Sequence, residues 1–234
     1  LVTLREALKR SPTPAMMIPH HIGYQQGYRG IHWSAFTEEY SPVVEIMSFH
    51  GGSESCDGGV PYLHSMGPCD AGSSAHFGWA QGHVFGVVGS TDGHMAFPGS
   101  HGFGCMAVWA SALTRDALWD AIQQRRTYAL TGDRIQLAFA VNGFVMGSLA
   151  PSAEERRIEV AVVGGDAIDT IDLLHNNRVI HRMAPLPQPE EEGRFKLALQ
   201  VGWGEDANGT PWEVEVEVLD GALLEVEPRF VGYR

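Results

Sequence analysis

Several short stretches of this sequence carry side chains suited to metal or hydrolytic chemistry, and Asp92-Gly93-His94 is the sharpest. In an extended Asp-x-His the two side chains point the same way. They can then share one cation, or two neighbouring ones, through a carboxylate oxygen and an imidazole nitrogen. The same residues also suit a turn in which Asp92 caps a helix and His94 lies on the surface. His20-His21 follows Pro19. Adjacent side chains on an extended chain point to opposite faces, so at most one of the pair is expected to face a shared site. A solvated loop pair is the competing reading. Glu45 lies inside the apolar run Val43-Val44-Glu45-Ile46-Met47-Ser48-Phe49. A carboxylate there is costly unless it is paired, hydrogen-bonded or near a cation, and a structural salt bridge would satisfy it equally. His50, Ser53 and Glu54 occupy the Gly-rich loop after that run, where they suit metal or substrate oxygen as well as ordinary loop structure. His101 with Phe97-Pro98-Gly99 forms a further candidate loop, a flexible connector being the alternative. His64, His76 and His83 are read as structural or surface residues.

Chemistry at these positions requires a scaffold that gathers strand ends. Three apolar runs, Ala15-Met16-Met17-Ile18, Val43 to Phe49 and Val84-Phe85-Gly86-Val87-Val88-Gly89, each end at one of the polar clusters. Short apolar runs bounded by Gly and Pro, with helical patterns between, read as buried parallel strands of an α/β fold. Sites in such folds collect at the carboxyl ends of the strands. A helix with Thr114 as N-cap and Ala117, Leu118, Ala121 and Ile122 on one face closes this half. The second half reads as all-β, with strands expected over 135–141, 158–163, 168–174, 179–183, 195–201, 212–219 and 223–227. Trp212, Val214, Val216 and Val218 alternate with Glu213, Glu215 and Glu217, the period of a half-buried strand. About seven strands in roughly 100 residues suggest an immunoglobulin-like β-sandwich.

The two halves also differ in charge. Residues 1–132 carry 7 basic and 10 acidic side chains, and residues 133–234 carry 9 and 18. Nine of the eleven histidines precede residue 102. A boundary near Gly132-Asp133 follows, with domains 1–132 and 133–234. The whole chain of 234 residues is 44% hydrophobic and 19% charged, enough for a core, and its net charge of −12 argues against binding to nucleic acid or an anionic membrane. No apolar run approaches the roughly 20 residues of a membrane span, and no targeting signal is read. Cys56, Cys69 and Cys105 are odd in number and include no C-x-x-C pair, so neither a disulfide framework nor a thiolate zinc site is expected. There is no G-x-S-x-G elbow, P-loop or dinucleotide fingerprint.

Taken in order, Met17-Ile18-Pro19-His20-His21, Val44-Glu45-Ile46, Gly89-Ser90-Thr91-Asp92-Gly93-His94 and the segment from Leu113 to Ile122 resemble the motifs of PHP-type (polymerase and histidinol phosphatase) proteins. The likeness is greatest to a large, functionally uncharacterised PHP-related family, whose members continue into a segment like Arg126 to Ile135 and a β-rich tail. It covers residues 1 to about 148. The resemblance implies a distorted (β/α)7 barrel with two or three clustered metal ions, of which this chain would hold the last three βα units followed by the β-sandwich. It places His20, Asp92 and His94 as metal ligands and Glu45 at a recurrent acidic position. The family's earlier H-x-H and D-H motifs have no counterpart here, and the chain opens at Leu1 without Met. The expectation is therefore the C-terminal part of a longer protein.

The function expected on this reading is that of a metal-dependent phosphoesterase. Zn, Mn or Fe would activate a water, His20, Asp92 and His94 would hold metal, and Glu45 or His50 would orient ligand, water or substrate. Amidohydrolase-like C–N hydrolysis and a non-catalytic carbohydrate- or protein-binding module are the alternatives. The expected partners are a small phosphorylated substrate and a second copy in a homodimer. With upstream ligands missing, this chain alone is expected to hold metal at partial occupancy and to turn over weakly.

Overall fold

Val43–Ser48 (β1) is buried along nearly its whole length, as a run of β-branched and apolar residues dictates. The structure is a computed structural model that describes residues 2–58, 62, 69–94, 104–165, 167–184, 213–219 and 221–226. A helix over Val2–Arg10 (α1) opens the chain. Beyond it, β1 pairs antiparallel with the two-residue strand Gly51–Gly52 (β2). On its other side β1 pairs parallel with Gly86–Gly89 (β3), in the register Val43 to Gly86, Val44 to Val87 and Glu45 to Val88. The register then slips, so that Met47 rather than Ile46 lies opposite Gly89. Bulges of this kind bend a strand and re-aim its side chains.

Between β1 and β3 runs a long connection that holds the short helix Ala75–Ala80 (α2), capped by the Ser74 hydroxyl on the Phe77 amide. A core of Ile22, Trp33, Val44, Ala75 and Phe85 lies beneath it. Its centre is an aromatic stack. Phe85 packs face to face with Trp33 and with Trp79, each at 5.1 Å, and edge-on to Phe36 at 5.6 Å. Gly78 of α2 sits flat on the Trp33 ring: a β-carbon there would come within 2.5 Å of it.

After β3 the chain forms an antiparallel pair, Cys105–Val108 (β4) with Thr127–Leu130 (β5), joined through the helix Arg115–Gln123 (α3). Thr114 caps α3 on the Ala117 amide, as its position in the sequence indicated. The pair lies against β3: the Thr127 hydroxyl donates to Val87 O, and a β-carbon on Gly89 would meet Cys105 O at 2.5 Å. The chain continues as Gln136–Val141 (β6), Phe144–Val145 (β7) and Ile158–Val163 (β8), an antiparallel sheet in the order β7-β6-β8. Ile171–His175 (β9) and Arg178–Met183 (β10) form a separate hairpin. Asn176 and Asn177, at φ 50° and 61°, make its turn, the conformation that a tight hairpin demands.

This architecture overturns the expected (β/α)7 barrel units and the immunoglobulin-like sandwich. The described residues are mostly β, with three short helices, several small sheets and no closed barrel. Residues 15–19 form no strand. They run beside β1 with two backbone bonds, Met17 N–H to Tyr40 O and Glu45 N–H to Pro19 O. Pro14 and Pro19 lack the amide a regular ladder needs. Among the described residues, the helical structure in the links to β1 and to β3 is two three-residue 3-10 turns, at Trp33–Ala35 and Ala71–Ser73, and the six-residue α2, where barrel units need full crossover helices. In the second half Val163, Val179, Ile180 and Met183 stand exposed instead of facing a second sheet. Residues 213–218 and 222–226 have no strand structure, and the expected strand at 195–201 and Trp212 lie outside the described residues.

The cysteine expectation also changes. Cys56 and Cys69 form a disulfide and Cys105 is free. The odd count concealed a pair because one thiol stands apart in β4. Cys69 bridges antiparallel to Tyr24, and the Asp70 amide donates to Gly23 O, so the bond anchors its loop to the 22–24 segment.

Two stability outcomes follow from this packing. Replacing Phe85 by Ala removes the shared ring of the stack and is expected to cost about 3–5 kcal/mol in chemical denaturation. The double variant Cys56→Ser, Cys69→Ser opens a loop of 13 residues' separation. It should lose about 3 kcal/mol, read as the difference between oxidised wild type and the variant.

Candidate metal centre

β1 and β3 run parallel, so their carboxyl ends deliver neighbouring loops to one place. Past the bulge the Ser90 amide donates to Met47 O at 2.8 Å and carries the chain on to Asp92. Across β1 lies the segment that ends in His20 and His21. Its position depends on Glu45, which uses both backbone and side chain. The Glu45 amide donates to Pro19 O, one carboxylate oxygen accepts from the His21 amide at 2.9 Å, and the other takes the Ser90 hydroxyl in a close contact. Glu45 is buried, and burial pushes its carboxyl up from the ordinary value while the bonds from Ser90 and His21 act against that shift. The Ser53 hydroxyl donates to Glu45 O behind it. Tyr62 accepts from the Gly23 amide at 3.0 Å, its phenol pushed up to about 12 by burial.

His21 has a positive φ of 37° and Asp92 one of 47°. A left-handed residue breaks the two-fold alternation of an extended chain. The two adjacent histidines, expected on opposite faces, therefore lie together: their ring centres are 3.8 Å apart. His20, His21 and Asp92 each offer one ligand atom, and the three atoms all fall within 4.8 Å of one another. His21 Nδ1 is buried and has no hydrogen-bond partner. Burial first, and then the neighbouring His20, push the His21 imidazole down from its ordinary value. That favours the neutral form, which is the form that binds metal.

Asp92 is shared. Its Oδ2 lies 2.7 Å from His50 Nε2, and its Oδ1 lies 3.4 Å from His94 Nε2. His94 is 65% exposed and stands at the rim, outside the group of three. His50 is 3% exposed and sits behind Asp92, with its Nδ1 2.9 Å from the Tyr24 hydroxyl. Of the residues singled out from the sequence, the structure thus brings His20, Glu45, His50 and Asp92 together, with His94 beside them. Glu54 pairs instead with His76 at 3.6 Å, and His83 stacks on Trp33. His64, His101 and Phe97-Pro98-Gly99 lie outside the described residues. Sequence reasoning missed His21 as a donor, along with Tyr24 and Ser90. Only Ser90, two residues before Asp92, carried a visible signal.

Two imidazoles and a carboxylate are a donor set for Zn, Fe or Mn. The buried, unpartnered His21 nitrogen beside His20 and Asp92 makes these residues fit such an ion. Arg29, exposed on the turn after Tyr24, adds a positive charge that acts on both His21 and Tyr24. Among the described residues, no helix is long and apolar enough to cross a membrane.

Residues 99–171 match a family described as "Protein of unknown function (DUF3604)". The chain is 29% identical over 178 residues to an "Uncharacterized protein" of Chlamydia muridarum (strain MoPn / Nigg) and 28% identical to one of Chlamydia trachomatis serovar D. Each alignment covers 67% of this chain and 28% of the relative. A third relative, from Chlamydia pneumoniae, is 31% identical over 88 residues, 35% of this chain and 14% of its own length. No solved structure matches. The chain is thus similar to proteins of which it spans little more than a quarter.

Proposed function

We propose that this chain carries part of the divalent-metal centre of a hydrolase that acts on small phosphoesters. The observation that carries the reading is the meeting of His20, His21 and Asp92, with His21 Nδ1 buried and unpartnered. The motif order shared with PHP-type proteins supports the choice of phosphoester, and the closed barrel forms no part of the proposal. A divalent cation held there supplies a Lewis acid and makes water acidic enough to deprotonate near neutral pH.

The chain's own residues do the positioning. Glu45 ties the His21 amide and the Ser90 hydroxyl to β1, and so sets the distance between the two ligand-bearing segments. His50 backs the Asp92 carboxylate. The Arg29 charge near His21 suits an anionic substrate. His94, on the other Asp92 oxygen, is placed to meet substrate or a further ion at the rim. In this reading the rest of the longer protein provides the remaining ligands, and the isolated chain holds its metal weakly. The exposed apolar side chains of β8 to β10 support self-association of the isolated chain.

Calorimetric titration with Zn²⁺ is expected to show binding to the wild-type chain. His21→Ala and Asp92→Ala should weaken it at least about 100-fold, the upper end of what loss of a supporting partner costs, and His94→Ala less than about 10-fold. With p-nitrophenyl phosphate the isolated chain should show slow, metal-dependent hydrolysis that chelation abolishes. Unchanged Zn²⁺ affinity in both His21→Ala and Asp92→Ala would sink the assignment. Light scattering should give a dimer, and a monomer at high concentration removes the self-association.

A further inference from the structure

The contacts around His50 fix more than its place. An ionised carboxylate can only accept hydrogen bonds, so the 2.7 Å contact of His50 Nε2 with Asp92 Oδ2 requires the proton on Nε2. In a neutral imidazole the other nitrogen is then an acceptor. The Tyr24 hydroxyl, 2.9 Å from Nδ1, has a proton to give it. Tyr24 is fully buried and His50 nearly so, which makes the choice of proton position a property of the fold and not of passing water.

We propose that Tyr24 is a positioning residue for the metal centre: its hydroxyl donates to His50 Nδ1, holds His50 as the neutral Nε2–H tautomer, and so fixes the Asp92 carboxylate for metal. The consequence for metal rests on the reading above; the tautomer does not. In this arrangement His50 is neither ligand nor general base, because one nitrogen carries the proton given to Asp92 and the other takes the proton from Tyr24.

Asp92 needs such support. It sits in a left-handed conformation, and its other imidazole neighbour, His94, is largely exposed and 3.4 Å away. Tyr24 is itself well held. It bridges to Cys69, packs on Tyr62 at 4.6 Å and meets the His21 ring edge-on at 5.7 Å. Hydrogen-bond partners behind a ligand orient it and change metal affinity by about 10–100-fold.

The test is a long-range ¹H–¹⁵N spectrum of the metal-free full chain with labelled histidine at neutral pH. The expected spectrum has one imidazole, assigned by its loss in His50→Gln, with a pyridine-type Nδ1 and a pyrrole-type Nε2. In Tyr24→Phe that signal should move toward a tautomer average, and Zn²⁺ affinity measured by calorimetry should fall about 10-fold. Where His50→Gln fails to fold, through-bond assignment from the His50 backbone identifies the same imidazole in the wild-type spectrum. A wild-type His50 found as the Nδ1–H tautomer or as imidazolium overturns the proposal whatever metal does. Zn²⁺ affinity unchanged in a folded Tyr24→Phe chain overturns the positioning role and leaves the metal site standing. A wild-type chain that binds no Zn²⁺ overturns the metal reading and the positioning role with it, while the spectrum still decides the tautomer.

Discussion

The Glu45 carboxylate lies inside β1 with one oxygen on the His21 amide and the other on the Ser90 hydroxyl. Three chain segments meet on this one side chain: the 19–21 approach, β1 itself and the loop after β3. A buried carboxylate without partners would be strongly unfavourable, so the pressure to keep it bonded becomes a constraint on where the neighbouring backbone can go. The bulge after Glu45 belongs to the same arrangement, because it shifts β1 by one residue against β3 just before the strands deliver His50 and Asp92. The candidate centre is therefore assembled by a polar bridge on a two-stranded parallel base, and the aromatic stack of Trp33, Phe36, Trp79 and Phe85 packs in the core at the other end of β3.

How much of this was legible in the sequence varies by element. β1 and β3 were readable as parallel strands because Val43 to Ser48 and Gly86 to Gly89 are apolar runs with turn residues at their ends. The polar clusters after them were readable for the same reason. Residues 15–18 have the same apolar character, yet Pro14 and Pro19 remove backbone donors, and propensity yields to that missing chemistry. The pairing of His20 with His21 was hidden because it depends on a left-handed residue that no periodicity announces. Counting cysteines failed for a simpler reason: parity says nothing about which thiols come close in space.

The β-rich half shows where pattern reasoning loses its grip. β6, β8 and β10 fall nearly where short apolar runs between turn signals placed strands, since such runs are a local property of the chain. What covers the apolar face of a strand is not local. Val214, Val216 and Val218 alternate with glutamates as cleanly as any strand, yet they stand exposed and unladdered. Asn142-Gly143, with φ of 51° and 81°, was a readable hairpin turn between β6 and β7 that the apolar runs around it overshadowed.

The left-handed backbone at His21 and Asp92 carries a consequence for any effort to make this protein hardier. A non-glycine residue in that conformation costs about 1 kcal/mol of folding free energy, somewhat less for Asp and His, which tolerate it better than most. Glycine at either position would relieve the cost, and a selection that rewards only heat resistance would drift toward it. Each such gain would delete one of three candidate ligand atoms that lie within 4.8 Å of one another. Durability and the candidate donor set are placed against each other here at two individual codons.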